Sequence, residues 1–345
     1  MKGEYFKEAA RHTATRFWIN NVTDEEALLA LDAGAVGCTQ NPSYSWKILN
    51  NSSDREHALA TLKDIMKTEK DDNEALVKLQ RDLIGRIAKR FMPLYESSHG
   101  KLGYVSIQGD PFQEDTDSII RYAHFNREAS PNMMAKIPAT EEGLKAITIL
   151  AAEGVPINAT ECMAIRQVID TCEAYLEGTR NMKNPPVICF SLITGIFDQY
   201  LQNTVKENNI DIDRSVLWQA GMAVAKKVHE IVADRQYPIN FIGGGARGLH
   251  HFTEMVGANA SITINWKGAA DQLIEQNLPV VSRFLQPTLH GVVDELVEKL
   301  EDFRKAYFIN AIAPHEYEEY GPVVLFRSMF EDSWKQALKL IASLR

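Results

Sequence analysis

Eight short apolar runs, each followed by a segment with helical patterning, constrain this chain more than any other feature. They are RFWIN (16–20), AVGCT (35–39), GYVSIQ (103–108), MMAKIP (133–138), VPINAT (155–160), PVICFS (186–191), PINFIG (238–243) and ASITIN (260–265). Most are rich in β-branched or aromatic residues, and several are bounded by Gly or Pro, which marks buried strands. The segments between them read as helices. TDEEALLALDAG opens on a cap residue, Thr23, with three acids in its first turn, and stops at Gly34; TEEGLKAITILAAEG repeats that design from Thr140 to Gly154. SVLWQAGMAVAKKVHEIVADRQ carries a 3.6-residue apolar stripe. Residues 45–98 are too long for one crossover and read as several helices. The tail beyond Pro287 reads as more, ending in SWKQALKLIASL.

Eight strand–helix units predict an α/β chain folded as a (β/α)8 TIM barrel, with extra helices after the second strand and at the C-terminus. A doubly wound sheet is the alternative. No linker, repeat or low-complexity stretch interrupts residues 1–345, so a single domain is expected.

Charge and composition narrow the function. The net charge is −9 and no basic cluster stands out, which argues against a nucleic-acid partner. The opening segment lacks an apolar signal region, and no apolar run is long enough to cross a bilayer. The expectation is a cytoplasmic protein without membrane partners, so the N-x-S/T matches at Asn21 and Asn158 are not read as glycosylation sites. Cys38, Cys162, Cys172 and Cys189 form no C-x-x-C pair; Cys38 and Cys189 sit in strand-like runs and read as small buried residues. The histidines show no H-x-x-x-H spacing, and the adjacent His250 and His251 are expected on different helix faces. No metal and no cofactor are expected.

In a barrel of this kind, chemistry gathers at the C-terminal ends of the strands. There the fourth run, within NMMAKIPAT (132–140), places Lys136 among apolar neighbours. Lysine is almost never buried unless it is paired or used. Asn20, Gln108, Asn158, Thr160, Ser191 and the glycines from Gly243 stand at matching ends. A buried strand would favour apolar residues at those places.

These residues resemble the transaldolase family. AKIPATEEGLKAITILAAEGVPINATECMAIRQ looks like that family's lysine strand, crossover helix and following Asn-x-Thr strand. GCTQNPSY resembles its turn after the second strand, FWINNVTDEEA its first strand, and FIGGGARGLHHFTEMVGANASITIN its last two. The resemblance implies a (β/α)8 barrel and a Schiff-base lysine at Lys136. It implies substrate and water contacts at Asn41, Asn158 and Thr160, a serine match at Ser191, and a phosphate contact at Arg247. The expected partner is a small-molecule sugar or sugar phosphate in carbohydrate metabolism, and homo-oligomerisation stays open. Independently, an amine attacks a carbonyl only when neutral, and an apolar site lowers a lysine's pKa by penalising the ammonium.

The chain also departs from the family. Asn20 stands where the family carries an acid/base aspartate. Gln108 stands where transaldolases carry a glutamate, although the related fructose-6-phosphate aldolases also carry glutamine there. Ile196 occupies the place of a phosphate-binding arginine, and Gln40 that of a threonine. An amide cannot accept a proton usefully, so weak standard transfer and a specialised substrate or reaction are expected. Three other groups are candidate replacement bases. Strand alternation aims Glu161 away from the barrel axis, Asp110 before Pro111 reads as a turn residue, and His12 precedes the first strand. Two further readings remain: a non-catalytic sugar-binding relative, and a nucleotide-dependent enzyme using GGGARG (243–248), which satisfies G-x-G-x-x-G but lies at the seventh strand rather than the first.

Overall fold

The computed structural model describes residues 4–345. Its eight strands are β1 (Arg16–Asn20), β2 (Ala35–Thr39), β3 (Tyr104–Ile107), β4 (Met133–Pro138), β5 (Ile157–Cys162), β6 (Ile188–Leu192), β7 (Asn240–Gly243) and β8 (Ser261–Asn265). Each pairs in parallel with the next, and β8 closes on β1. The sheet is therefore a closed barrel, and the doubly wound alternative falls. Among the described residues no helix is long and apolar enough to cross a membrane.

The helices follow from their caps. The Thr23 side chain accepts from the Glu26 amide, Glu26 accepts in return from the Thr23 amide, and the helix Asp24–Ala33 ends at Gly34. Thr140 caps the helix Glu141–Ala152 by accepting from the Gly143 amide. Gly143 also sets how closely that helix approaches β4, because a Cβ there would lie 1.8 Å from the Pro138 carbonyl oxygen. Any side chain would push the helix off the end of the lysine strand. The insertion after β2 forms the helices Ser43–Asn51, Arg55–Met66 and Asp72–Ser97. The tail ends in the helix Gly321–Leu344, which packs on Ser43–Asn51.

Two apolar bodies hold the fold together. The larger lies between sheet and helices and takes Met133, Ala135 and Ile137 from β4. The smaller fills the barrel with Trp18, Tyr104, Met134, Cys189 and Ile242. Each such side chain contributes roughly 1.5–3 kcal/mol on full burial. Gly37 admits the Trp18 ring, since a Cβ would meet it at 2.4 Å. Strand alternation then fixes the site: if Met134 points inward, so does Lys136. Trp18 and Met134 form an apolar floor, and polar residues occupy the layers above it.

Candidate active site

Lys136 is 7 % exposed and points into a cavity of ≈ 200 Å³. Among the described residues no carboxylate forms an ion pair with its Nζ, which lies over the Phe330 ring, 5.7 Å from the centroid. Burial lowers the ammonium pKa to about 8, against the opposing pull of Glu161 and Glu114. Phe326, Met329 and Phe330, from the helix Gly321–Leu344, cover the cavity. That helix is tied down by Trp334, whose Nε1 donates to Asn73 Oδ1 at 2.8 Å. The tail thus forms an apolar roof over the cavity.

The cavity brings together six of the residues singled out from sequence: Lys136, Thr160, Asn20, Asn41, Ser191 and Arg247. Two lie elsewhere. Asn158 sits opposite Lys136 in register but is fully buried; its Nδ2 donates to Ser106 Oγ at 3.1 Å, and its Oδ1 accepts from Ser191 Oγ at 2.8 Å. It orients Ser191 from below. Gln108 lines a second, smaller cavity that shares Lys136 with the first.

Asn20 belongs to an amide–hydroxyl chain across the first, second and eighth strands. Its Nδ2 donates to Asn265 Oδ1 at 2.9 Å, its Oδ1 accepts from Thr39 Oγ1 at 2.9 Å, and Thr39 Oγ1 meets Thr263 Oγ1 at 2.8 Å. Asn21 and Asn41 are interlocked: Asn21 Nδ2 donates to Asn41 Oδ1 at 3.0 Å, and the Asn41 amide donates to Asn21 Oδ1 at 3.1 Å. The Thr160 hydroxyl is buried and without a partner among the described residues.

Glu161 corrects the expectation from alternation. It does not point away; it is fully buried and its Oε1 accepts from Gln108 Nε2 at 3.0 Å. The cause is a bulge. Ala159 pairs with Phe190 and Cys162 with Leu192, so β5 carries an extra residue, and Glu161 adopts φ +60°. A bulge of this kind re-aims a side chain. Gln167 supports it by donating to the Glu161 carbonyl at 3.2 Å. Gln108 Nε2 also donates to Glu114 Oε1 at 2.9 Å. Burial raises both glutamates above the ordinary carboxylate range, Glu161 acting further on Glu114. Asp110 is a turn residue as expected, its Oδ1 accepting from the Phe112 amide at 2.9 Å. His12 is exposed and paired with Glu8 before β1 begins.

The loop after β7 supplies the cation. Among the described residues Arg247 has no carboxylate partner; its guanidinium rests on Gln199 Oε1 and Met329 Sδ. Ile196 lies beneath Gly245 and does not line the cavity. His250 stacks on Trp218, whereas His251 turns to Asp198. The two imidazole rings lie 3.9 Å apart, and with Asp198 they offer ligand atoms all within 4.8 Å of one another. His251 Nε2 meets Asp198 Oδ2 at 3.0 Å and the Gly221 amide donates to Asp198 Oδ1 at 2.7 Å, so these contacts pin the loop to the helices behind it. The four cysteines are buried and free.

Sequence reasoning missed Phe326, Met329 and Phe330, because nothing local marks a distant helix as a roof. It also missed Glu114, which carries no motif. Thr39, Thr263 and Asn265 had a signal, being polar residues at strand ends.

A profile described as Transaldolase/Fructose-6-phosphate aldolase matches residues 18–312. Among curated proteins, a transaldolase of Saccharopolyspora erythraea is 31% identical over 185 residues, covering 51% of this chain and 49% of that protein. One of Trichodesmium erythraeum is 41% identical over 91 residues, covering 26% of this chain and 24% of its own length. One of Mycobacterium leprae is 34% identical over 147 residues, covering 41% and 38%. The chain spans about half or less of the length of these relatives.

Proposed function

The chain belongs to the transaldolase/fructose-6-phosphate aldolase family, and on that premise we propose that it is an aldolase or transaldolase-type transferase whose Lys136 forms a Schiff base with a ketose or related carbonyl substrate. The observation that carries this reading is a lysine, 7 % exposed at the mouth of the barrel, that pairs with no carboxylate among the described residues. With its pKa near 8, a useful fraction is neutral at physiological pH. The neutral amine adds to the substrate carbonyl, and loss of water gives an iminium. A proton leaves the hydroxyl on the β-carbon, and the iminium takes up the electrons of the bond between the α- and β-carbons. That bond breaks, an aldehyde leaves, and the enamine is passed to an acceptor aldehyde or protonated.

Hydroxyls of the substrate have partners on the cavity wall in Asn20, Asn41, Thr160 and Ser191. The unpartnered Thr160 Oγ1 suits a substrate hydroxyl or a water beside the imine. Neither Asn20 nor Gln108 can take the proton that the breaking bond releases, which supports an altered substrate or reaction and weak standard transfer. The test is release of an aldehyde fragment from a panel of ketoses and their phosphates, with and without an acceptor aldehyde. Release from none of them would refute the reading; vigorous transfer from fructose 6-phosphate to erythrose 4-phosphate would refute the altered specificity.

Arg247 is the anion contact in this account. A charged hydrogen bond is worth roughly 1.5–3 kcal/mol. Arg247→Gln should therefore raise KM for a phosphorylated or carboxylated substrate about ten- to a hundredfold, with a smaller change for the uncharged sugar. With Ile196 in place of a second cation, the native preference for phosphate should stay below about a thousandfold in kcat/KM. Equal KM changes for charged and uncharged substrates would remove Arg247 from the site.

A further inference from the structure

Resting on the Schiff-base reading of Lys136, we infer that Glu114 and Glu161, bridged by Gln108, form a shared acid/base pair that holds the proton exchanged during imine formation and hydrolysis. Glu114 lies outside the strand ends, and Glu161 reaches Gln108 only because of the bulge in β5. The geometry sets them apart from ordinary buried acids.

One amide nitrogen, Gln108 Nε2, donates to an oxygen of each glutamate, at 2.9 Å and 3.0 Å. The other oxygen of each, and Gln108 Oε1, are buried without a partner among the described residues. Buried polar atoms normally find partners, and orphans cluster where a water or a reacting group belongs. Beside them lies a cavity of ≈ 20 Å³ lined by Gln108, Glu114 and Lys136. That is room for about one water. A water in that cavity would meet Gln108 and Glu114; Glu161 joins them through the Gln108 amide, and both glutamates act electrostatically on Lys136.

Two carboxylates in such contact cannot both ionise cheaply, so the pair retains a proton. The charged and titratable groups around it are few. Arg327, ion-paired with Glu318 at 2.9 Å, acts on the pair from the C-terminal helix and favours the ionised form. Lys136 favours it too, and Glu318 opposes it. Asp110 and Tyr122 line the far wall of the small cavity.

The step balances without a co-reactant. When the amine has added to the carbonyl, the carbinolamine hydroxyl must leave. The protonated carboxyl gives its proton, through the cavity water, to that hydroxyl. The C–O bond breaks, water leaves with the bonding pair, and the nitrogen lone pair makes the C=N bond. A carboxylate then lies near the new cation and stabilises it. In hydrolysis the carboxylate takes a proton from the attacking water and the cycle closes. Gln108 is a positioning residue, a neutral donor able to face both acids where a third carboxylate would repel them.

The test uses the native chain, Glu114→Gln and Glu161→Gln, with a ketose that the native chain traps on borohydride reduction. Trapping after brief mixing gives the rate of imine formation, and trapping after long incubation gives its extent. The expected result is a native extent with a rate about 10²-fold lower or more, and loss of the native pH dependence of that rate. Native rates and pH profiles in both variants would overturn the assignment. So would equal losses of rate and extent with an unchanged profile, which mark a structural role. A native chain that traps no ketose refutes the Lys136 reading instead. Should the variants fail to fold, infrared spectra of the native chain decide: a protonated carboxyl band at pH 7 that fades on raising the pH is expected, and its absence overturns the assignment.

Discussion

Lys136→Met should abolish covalent trapping and lower turnover by on the order of 10⁴–10⁶-fold, as removal of a covalent nucleophile does. It should also make the protein more stable. The Lys136 pKa falls from 10.5 to about 8 on burial. A lysine whose folded pKa is depressed resists protonation in the folded state. Its cost is fully present below about pH 8 and fades as the pH rises toward 10.5. A shift of that size corresponds to about 3 kcal/mol at pH 7. Methionine is close in length, apolar and compatible with the neighbouring Met134 and Phe330. The variant should therefore melt a few degrees higher at pH 7, and its advantage should shrink between pH 8 and 10.5. Greater stability with lost activity is the pattern of a residue kept for chemistry. A destabilised variant would mean that the lysine serves packing.

Gln108→Glu, by contrast, should destabilise the protein by about 3 kcal/mol at neutral pH. Sequence alone recommends the change, since it restores a family carboxylate. The structure argues against it. Gln108 Nε2 donates to both Glu114 and Glu161, and a glutamate would replace that donor with a third acid. The added carboxyl would have a folded pKa above its unfolded value. Its cost is then absent below the unfolded value, grows as the pH rises from the unfolded toward the folded value, and is constant above that. Denaturant melts at pH 5 and pH 8 should differ by more in the variant than in the native chain. Asn20→Asp is the milder change, because Asn20 is only half-buried and lies among the hydroxyls and amides of Thr39, Thr263 and Asn265. Any gain in standard transfer activity should come from position 20. A stable and more active Gln108→Glu chain would contradict the account of the glutamate pair.

The barrel was legible because its strands are short β-branched or aromatic runs between well-capped helices. β4 has the expected bounds, Met133–Pro138. β5 does not: VPINAT suggested an end at Thr160, whereas the strand runs to Cys162 through a bulge. A bulge depends on the neighbouring strand, so the sequence of β5 alone does not announce it. That one irregularity reverses the direction of Glu161. Lys136, Thr160 and Arg247 were legible for a simpler reason, being polar residues at strand ends and in a glycine-rich loop. The Phe330 roof was not, because a ring far along the chain reaches Lys136 only through tertiary packing.

The central claim is that Lys136 is the amine that bonds to substrate, and the most direct measurement is peptide mapping by mass spectrometry after borohydride reduction with a ketose panel. The account predicts a single reduced adduct on the peptide bearing Lys136, with none in Lys136→Met. An adduct on another lysine, such as Lys145 on the helix Glu141–Ala152, would contradict it, as would a Lys136→Met chain that still traps substrate.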